Sequence, residues 1–137
     1  MKSIFAPILL LTFLSPSLAY GETMNDLVRR DGIHYKKFSE VPFTGKVTGK
    51  TQGIFKNGKM LGPYITFWNN GQLWTKGTHK DGKRVGPFVG YYKNGQLASK
   101  GTFRDDKWEG LWVGYELDGT VSEERTGTFK NGKKVSD

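Results

Sequence analysis

A glycine-led unit recurs along most of this chain, and no other feature limits its fold as strongly. Gly53-Ile-Phe-Lys-Asn-Gly-Lys, Gly77-Thr-His-Lys-Asp-Gly-Lys, Gly101-Thr-Phe-Arg-Asp-Asp-Lys and Gly127-Thr-Phe-Lys-Asn-Gly-Lys begin successive segments at spacings of 24, 24 and 26 residues. Within each full unit a second glycine follows nine residues on (Gly62, Gly86, Gly110) and a third nine beyond that (Gly71, Gly95, Gly119). An insertion in the Val121 to Thr126 stretch accounts for the longer last period. Self-similarity at a fixed period of this length marks an array of stacked supersecondary units.

The punctuation defines the unit. Asn57-Gly58, Asn70-Gly71, Asp81-Gly82, Asn94-Gly95, Asp118-Gly119 and Asn131-Gly132 are dipeptides that tolerate positive φ at both central positions of a type I′ hairpin turn, and only Asp105-Asp106 departs. The turns leave room for one strand between each pair, so the chain reads as hairpin after hairpin. A long helix is excluded, because interior Gly costs roughly 1 kcal/mol and interior Pro about 3 relative to Ala. With 19 glycines in 137 residues and 14% aromatic content, composition favours turns and sheet as well. Period-2 patterning sets Ile65, Val89 and Val113 on one face and Tyr64, Phe88 and Trp112 on the other.

The units, of the form Gly-x-Phe-Lys-Asn-Gly-Lys-x-x-Gly-Pro-x-x-x-Tyr-x-x-Asn-Gly-x-Leu, resemble the variant MORN repeat as found in proteins grouped as YwqK-type antitoxins. The resemblance spans residues 53–137, as three repeats and a C-terminal partial one. It implies an all-β fold, an elongated twisted antiparallel sheet of tandem β-hairpins, and a role in binding proteins or anionic lipid. Residues 22–52 are expected to form an N-terminal cap and a degenerate first repeat, with a short helical turn over Thr23 to Arg30 that docks Leu27 and Val28.

Residues 1–21 follow other rules. Lys2, an apolar run from Ile4 to Leu14 and small residues before Ala19 and Gly21 read as a secretory signal peptide, the apolar run being well short of the roughly 20 residues needed to span a bilayer. The mature chain is therefore expected to be periplasmic or secreted. The chain has no cysteine, which leaves it without disulfides, thiolate metal sites or a lipid acceptor near the signal. Export also sets this chain apart from an antitoxin that acts in the cytoplasm. Removing residues 1–21 takes away one lysine and no acid, so the formal charge of +8 becomes +7. A field of that sign attracts anionic partners.

Two sets of residues are candidates for function. Tyr64, Phe88 and Trp112, with Trp68 and Tyr92 beside them, form an aromatic stripe suited to a protein partner, since such rings anchor interfaces. Packing of these rings on one another across strands is the plain alternative. Lys56, Lys59, Lys80, Lys83, Arg104 and Lys107 flank the turns and form a basic ladder suited to phospholipid, lipopolysaccharide or an acidic protein, although solvated hairpin tips explain the same charges. Nucleic acid is a poorer fit, because no recognised motif accompanies the charge. Catalysis has little to stand on. His79 takes the place of Phe55, Phe103 and Phe129, no metal-ligand spacing exists, and the paired carboxylates Asp105-Asp106 and Glu123-Glu124 are expected at exposed turns. No cofactor is expected.

Overall fold

The computed structural model describes residues 21–137. The signal segment expected at residues 1–21 lies outside the described residues but for Gly21. The elements are β1 Glu22–Thr23, a single 3-10 turn Met24–Asp26, β2 Leu27–Arg30, β3 Ile33–Lys36, β4 Gly45–Thr48, β5 Thr51–Lys56, β6 Lys59–Phe67, β7 Leu73–Lys80, β8 Lys83–Tyr91, β9 Leu97–Arg104, β10 Lys107–Gly114, β11 Gly127–Lys130 and β12 Lys133–Ser136. One sheet of ten strands runs in the order β1-β4-β5-β6-β7-β8-β9-β10-β11-β12, and β2 and β3 form a separate hairpin. From β4 onward every pairing is antiparallel, and β1 joins the edge parallel to β4. The result is a long twisted sheet of consecutive hairpins.

The helical turn expected over Thr23 to Arg30 shrinks to Met24–Asp26, held where the Thr23 N–H and hydroxyl both donate to the Asp26 carboxylate. Leu27–Arg30 is extended instead, because Asp31 and Gly32 (φ 49° and 79°) turn the chain back into β3. Leu27 is buried, while Val28 is only partly so.

The Asx-Gly pairs do not all form the same turn, contrary to expectation. Asn57, Asp81 and Asn131 have φ near +50° and each is followed by a glycine at φ 78°, 79° or 81°, the signature of type I′. Asp105-Asp106 adopts the same geometry (φ 47° and 68°) without glycine. At Asn70-Gly71, Asn94-Gly95 and Asp118-Gly119 only the glycine has positive φ. There the Gly71 N–H donates to the Trp68 carbonyl and the Trp68 N–H to the Gln72 carbonyl, a wider turn with a bulge. The Asx carboxyl or amide oxygen accepts the N–H two residues on, from Gln72, Gln96 and Thr120. Tight and wide turns therefore alternate and define two long edges of the sheet.

Both edges are stitched from repeat to repeat. Along the tight edge the N–H groups of Gly58, Gly82, Asp106 and Gly132 donate to the carbonyls of Phe43, Met60, Arg84 and Trp108 at 2.7–3.0 Å. Along the wide edge the Trp68 indole donates to the Tyr91 carbonyl at 3.0 Å and the Tyr92 hydroxyl to the Tyr115 carbonyl at 2.7 Å. In the next unit Glu116 takes this place, and Arg125 from the inserted segment bonds to the Tyr92 hydroxyl, the Tyr115 carbonyl and Glu116. The insertion thus seals the last wide turn.

The core lies on the aromatic face. Its two clusters are Leu27, Phe43, Val47 and Phe55 with Met24 and Met60 at one end, and Phe103, Trp112 and Phe129 with Phe88 and Trp108 at the other. Glycines make room for the rings. Gly77 lies beneath Tyr64 and Gly101 beneath Trp112, whose indole stacks on Trp108 at 4.0 Å and donates to the Thr102 carbonyl at 2.9 Å.

Candidate functional site

The structure draws the expected aromatic stripe inward. Tyr64 and Trp112 are buried, at 8% and 1% exposure, and Phe88 packs edge-on against Phe103 at 5.1 Å. Trp68 and Tyr92 are partly exposed but occupied, since both stitch the wide edge and Trp68 also stacks on Trp74 at 4.4 Å. Ring-on-ring packing over glycine holds this face together, which leaves little of Tyr64 or Trp112 for a partner to touch.

The opposite face is the open one. Across the strands, Ile65 pairs with Lys76, Lys76 with Val89, Val89 with Lys100 and Lys100 with Val113. At the start of the row Lys46 pairs with Ile54. Strands sit about 4.8 Å apart, so the lysines on every second strand recur at about 10 Å. Ile54, Leu61, Leu111 and Val113 are 52%, 38%, 76% and 37% exposed. Two shallow apolar hollows lie between the lysines, of about 390 Å³ beside Ile54, Pro63 and Ile65 and about 410 Å³ beside Pro63, Pro87 and Val89. Aliphatic rows interleaved with cations form an amphipathic surface. Sequence patterning placed the aliphatic residues in a row but did not single out Lys46, Lys76 and Lys100, whose alternation appears only once the register is known.

The basic ladder sits along the tight edge. Lys56 pairs with Lys59, Lys80 with Lys83, Arg104 with Lys107 and Lys130 with Lys133, each couple directly opposite across its turn. Like charges so placed are mutually destabilising. Asp81, Asp105 and Glu109 are interspersed, and Arg104 lies 4.0 Å from Glu109.

A third locus was not assembled from the sequence. Three departures from the repeat meet in space: His79 in the phenylalanine column, Arg84 in the column of Met60 and Trp108, and Asp106 in the column of Gly58, Gly82 and Gly132. His79 and Arg84 are cross-strand partners. The Arg84 backbone N–H and Nε both donate to one Asp106 oxygen at 2.9 Å, and its guanidinium lies 4.2 Å from the centre of the Phe103 ring. Burial pulls the Asp106 carboxyl upward, but these bonds from Arg84 outweigh it and the net shift is down. The His79 ring lies 4.4 Å from that of Tyr64, and its Nδ1 is buried without a hydrogen-bond partner. Burial pushes the imidazole below its ordinary range and the Tyr64 phenol above its own. Aligning the repeats column by column reveals all three substitutions; only the fold reveals that they touch.

Residues 60–81 and 84–105 match the MORN repeat variant, in two segments offset by one structural period. Those two segments are MORN-like repeats. The matched segments run from the first residues of β6 and β8 to the next tight turn, so a MORN unit here comprises one long strand, the wide turn and the returning strand. MORN arrays are typically binding modules, which agrees with a surface built from repeated rows. Among curated proteins, none matches the chain. Among the described residues no cluster of His, Asp or Glu is placed to hold a metal ion, and no helix is long and apolar enough to cross a membrane.

Proposed function

We propose that this is an exported, non-catalytic binding module that takes a protein partner of acidic character on its aliphatic face. The alternation of Ile65, Val89 and Val113 with Lys76 and Lys100, beside the exposed Ile54, Leu61 and Leu111, carries the reading, because contiguous exposed apolar residues mark interaction surfaces and the intervening lysines select carboxylates. Binding by the aromatic stripe is thereby reassigned to its neighbours on the other side of the same strands. An antitoxin-like role fits this reading when the partner is an envelope-acting toxin. The test is a pull-down from the native envelope with the mature protein and a Val89→Glu, Leu111→Glu variant that melts like the parent. A partner retained at high salt by the parent and lost by the variant is expected; the same proteins captured by both would refute it.

The tight edge supports a second reading, attachment to an anionic envelope surface of phospholipid or lipopolysaccharide. Four directly opposed cation pairs cost stability in the free protein, and phosphate groups would relieve that repulsion. Co-sedimentation with anionic liposomes at low salt that fades at high salt is the expected result. Absence of binding at low salt removes this reading.

A further inference from the structure

We propose that the groove beside His79 is a binding site for a small amphipathic anion, a carboxylate or phosphate carried on an apolar body. It lies on the other side of the sheet from the aliphatic face and stands independently of the function proposed above. The two core clusters end on either side of the His79 unit, and neither includes Tyr64 or His79. Between them a groove of about 390 Å³ opens, lined among others by Arg29, Lys59, Met60, Tyr64, His79 and Asp106. The helical turn at Met24 and the β2–β3 hairpin supply part of its wall, so the groove is closed by residues outside the repeats.

Its chemistry is specific. Phenylalanine at position 79 would continue the ladder of Phe55, Phe103 and Phe129; histidine instead leaves a smaller ring and an unpartnered buried nitrogen. A buried polar atom with no partner is destabilising, and a repeat array has a well-packed residue for that column in every other unit. Such a departure is the kind retained for binding rather than stability. The one carboxylate lining the groove, Asp106, is already held by Arg84, which leaves Arg29 and Lys59 as the cations facing a ligand. Met24 and Met60, both only partly buried, offer apolar contact. An anion with a short acyl or aromatic body matches that lining, and the volume is at the small end of ligand sites.

The test uses the mature protein with hexanoate and phenyl phosphate as probes, followed by NMR at the His79, Tyr64 and Met60 resonances. Saturable shifts at these residues are expected with at least one probe, and comparing the two distinguishes a carboxylate from a phosphate site. His79→Phe should raise Tm by about 3–6 °C and weaken binding at least tenfold. An Arg29→Gln, Lys59→Gln variant should weaken it several-fold with Tm nearly unchanged. Neither probe shifting His79, undiminished binding by His79→Phe, or a fall in its Tm would each overturn the proposal.

Discussion

Gly53, Gly77 and Gly101 occupy one column of the repeat, yet replacing each by alanine should have three different outcomes. None has positive φ, so alanine brings no backbone strain and lowers the entropy of the unfolded chain, a gain of about 0.4–1 kcal/mol. What differs is the space above each. A Cβ at Gly53 meets the Tyr64 Cβ at 3.4 Å and the flexible end of Met60 at 3.6 Å, which are ordinary contacts. At Gly77 it meets the edge of the Tyr64 ring at 2.9 Å, and that ring borders the groove and has somewhere to move. At Gly101 it overlaps the Trp112 indole, which is 1% exposed, stacked on Trp108 and hydrogen-bonded to Thr102. Overpacking costs about 1–3 kcal/mol, and displacing the indole adds a lost hydrogen bond of about 1. Gly53→Ala should thus be neutral or stabilising by about 0.5 kcal/mol, Gly77→Ala should lose up to about 1, and Gly101→Ala should lose about 2–3. Urea unfolding followed by far-UV circular dichroism and tryptophan fluorescence measures the series, read from midpoints at constant slope. Equal losses at Gly53 and Gly101 would refute the claim that ring packing over glycine, rather than the turn pattern, fixes this column.

Three further outcomes follow from single features. Tyr92→Phe removes a hydroxyl that both donates to Tyr115 and accepts from Arg125, and should cost about 1–2 kcal/mol in urea unfolding, against near-neutrality if the wide edge is not stitched there. Because burial holds the folded-state His79 imidazole below its ordinary 6.5, the unfolded chain takes up the proton first; stability present above that pH should decline as pH falls through it, and His79→Phe should flatten this part of the pH–stability profile. Phe38, with φ 64° and a fully exposed ring, sits in a conformation bulky side chains avoid, so Phe38→Asn should raise stability by about 0.5–1 kcal/mol. A drop in melting temperature instead would show that the ring makes contacts that matter.

The legibility of the chain differs between levels. Hairpin succession was readable because Asx-Gly pairs have few alternatives, and the rows of equivalent residues followed from period 2 and period 24 together. Turn type was not readable. Asn57-Gly58 and Asn70-Gly71 are the same dipeptide, but Lys56 pairs with Lys59 across two residues whereas Phe67 pairs with Leu73 across five, and strand register decides which geometry forms. The expected helical turn near Thr23 is shorter than its sequence suggested, Met24–Asp26, for a related reason, since Asp31-Gly32 pairs its two flanks as strands. Of the candidate residues, the basic ladder lies along one edge as its spacing implied, while the aromatic stripe was placed in its row without its direction being known.

The one-dimensional pattern therefore determined that this protein is a ribbon of hairpins carrying two kinds of side-chain row, because glycine, proline and Asx residues constrain the backbone locally. Which row turns inward was a tertiary decision. Aromatic rings can lie over the glycines of neighbouring strands, bury more area and close-pack, whereas the aliphatic row alternates with lysines that must stay hydrated. The arrival of Asp106 beside His79 and Arg84 was likewise invisible along the chain, since 79 and 84 face each other within one hairpin but residue 106 joins them only when the next repeat stacks and its turn bonds to the strand before.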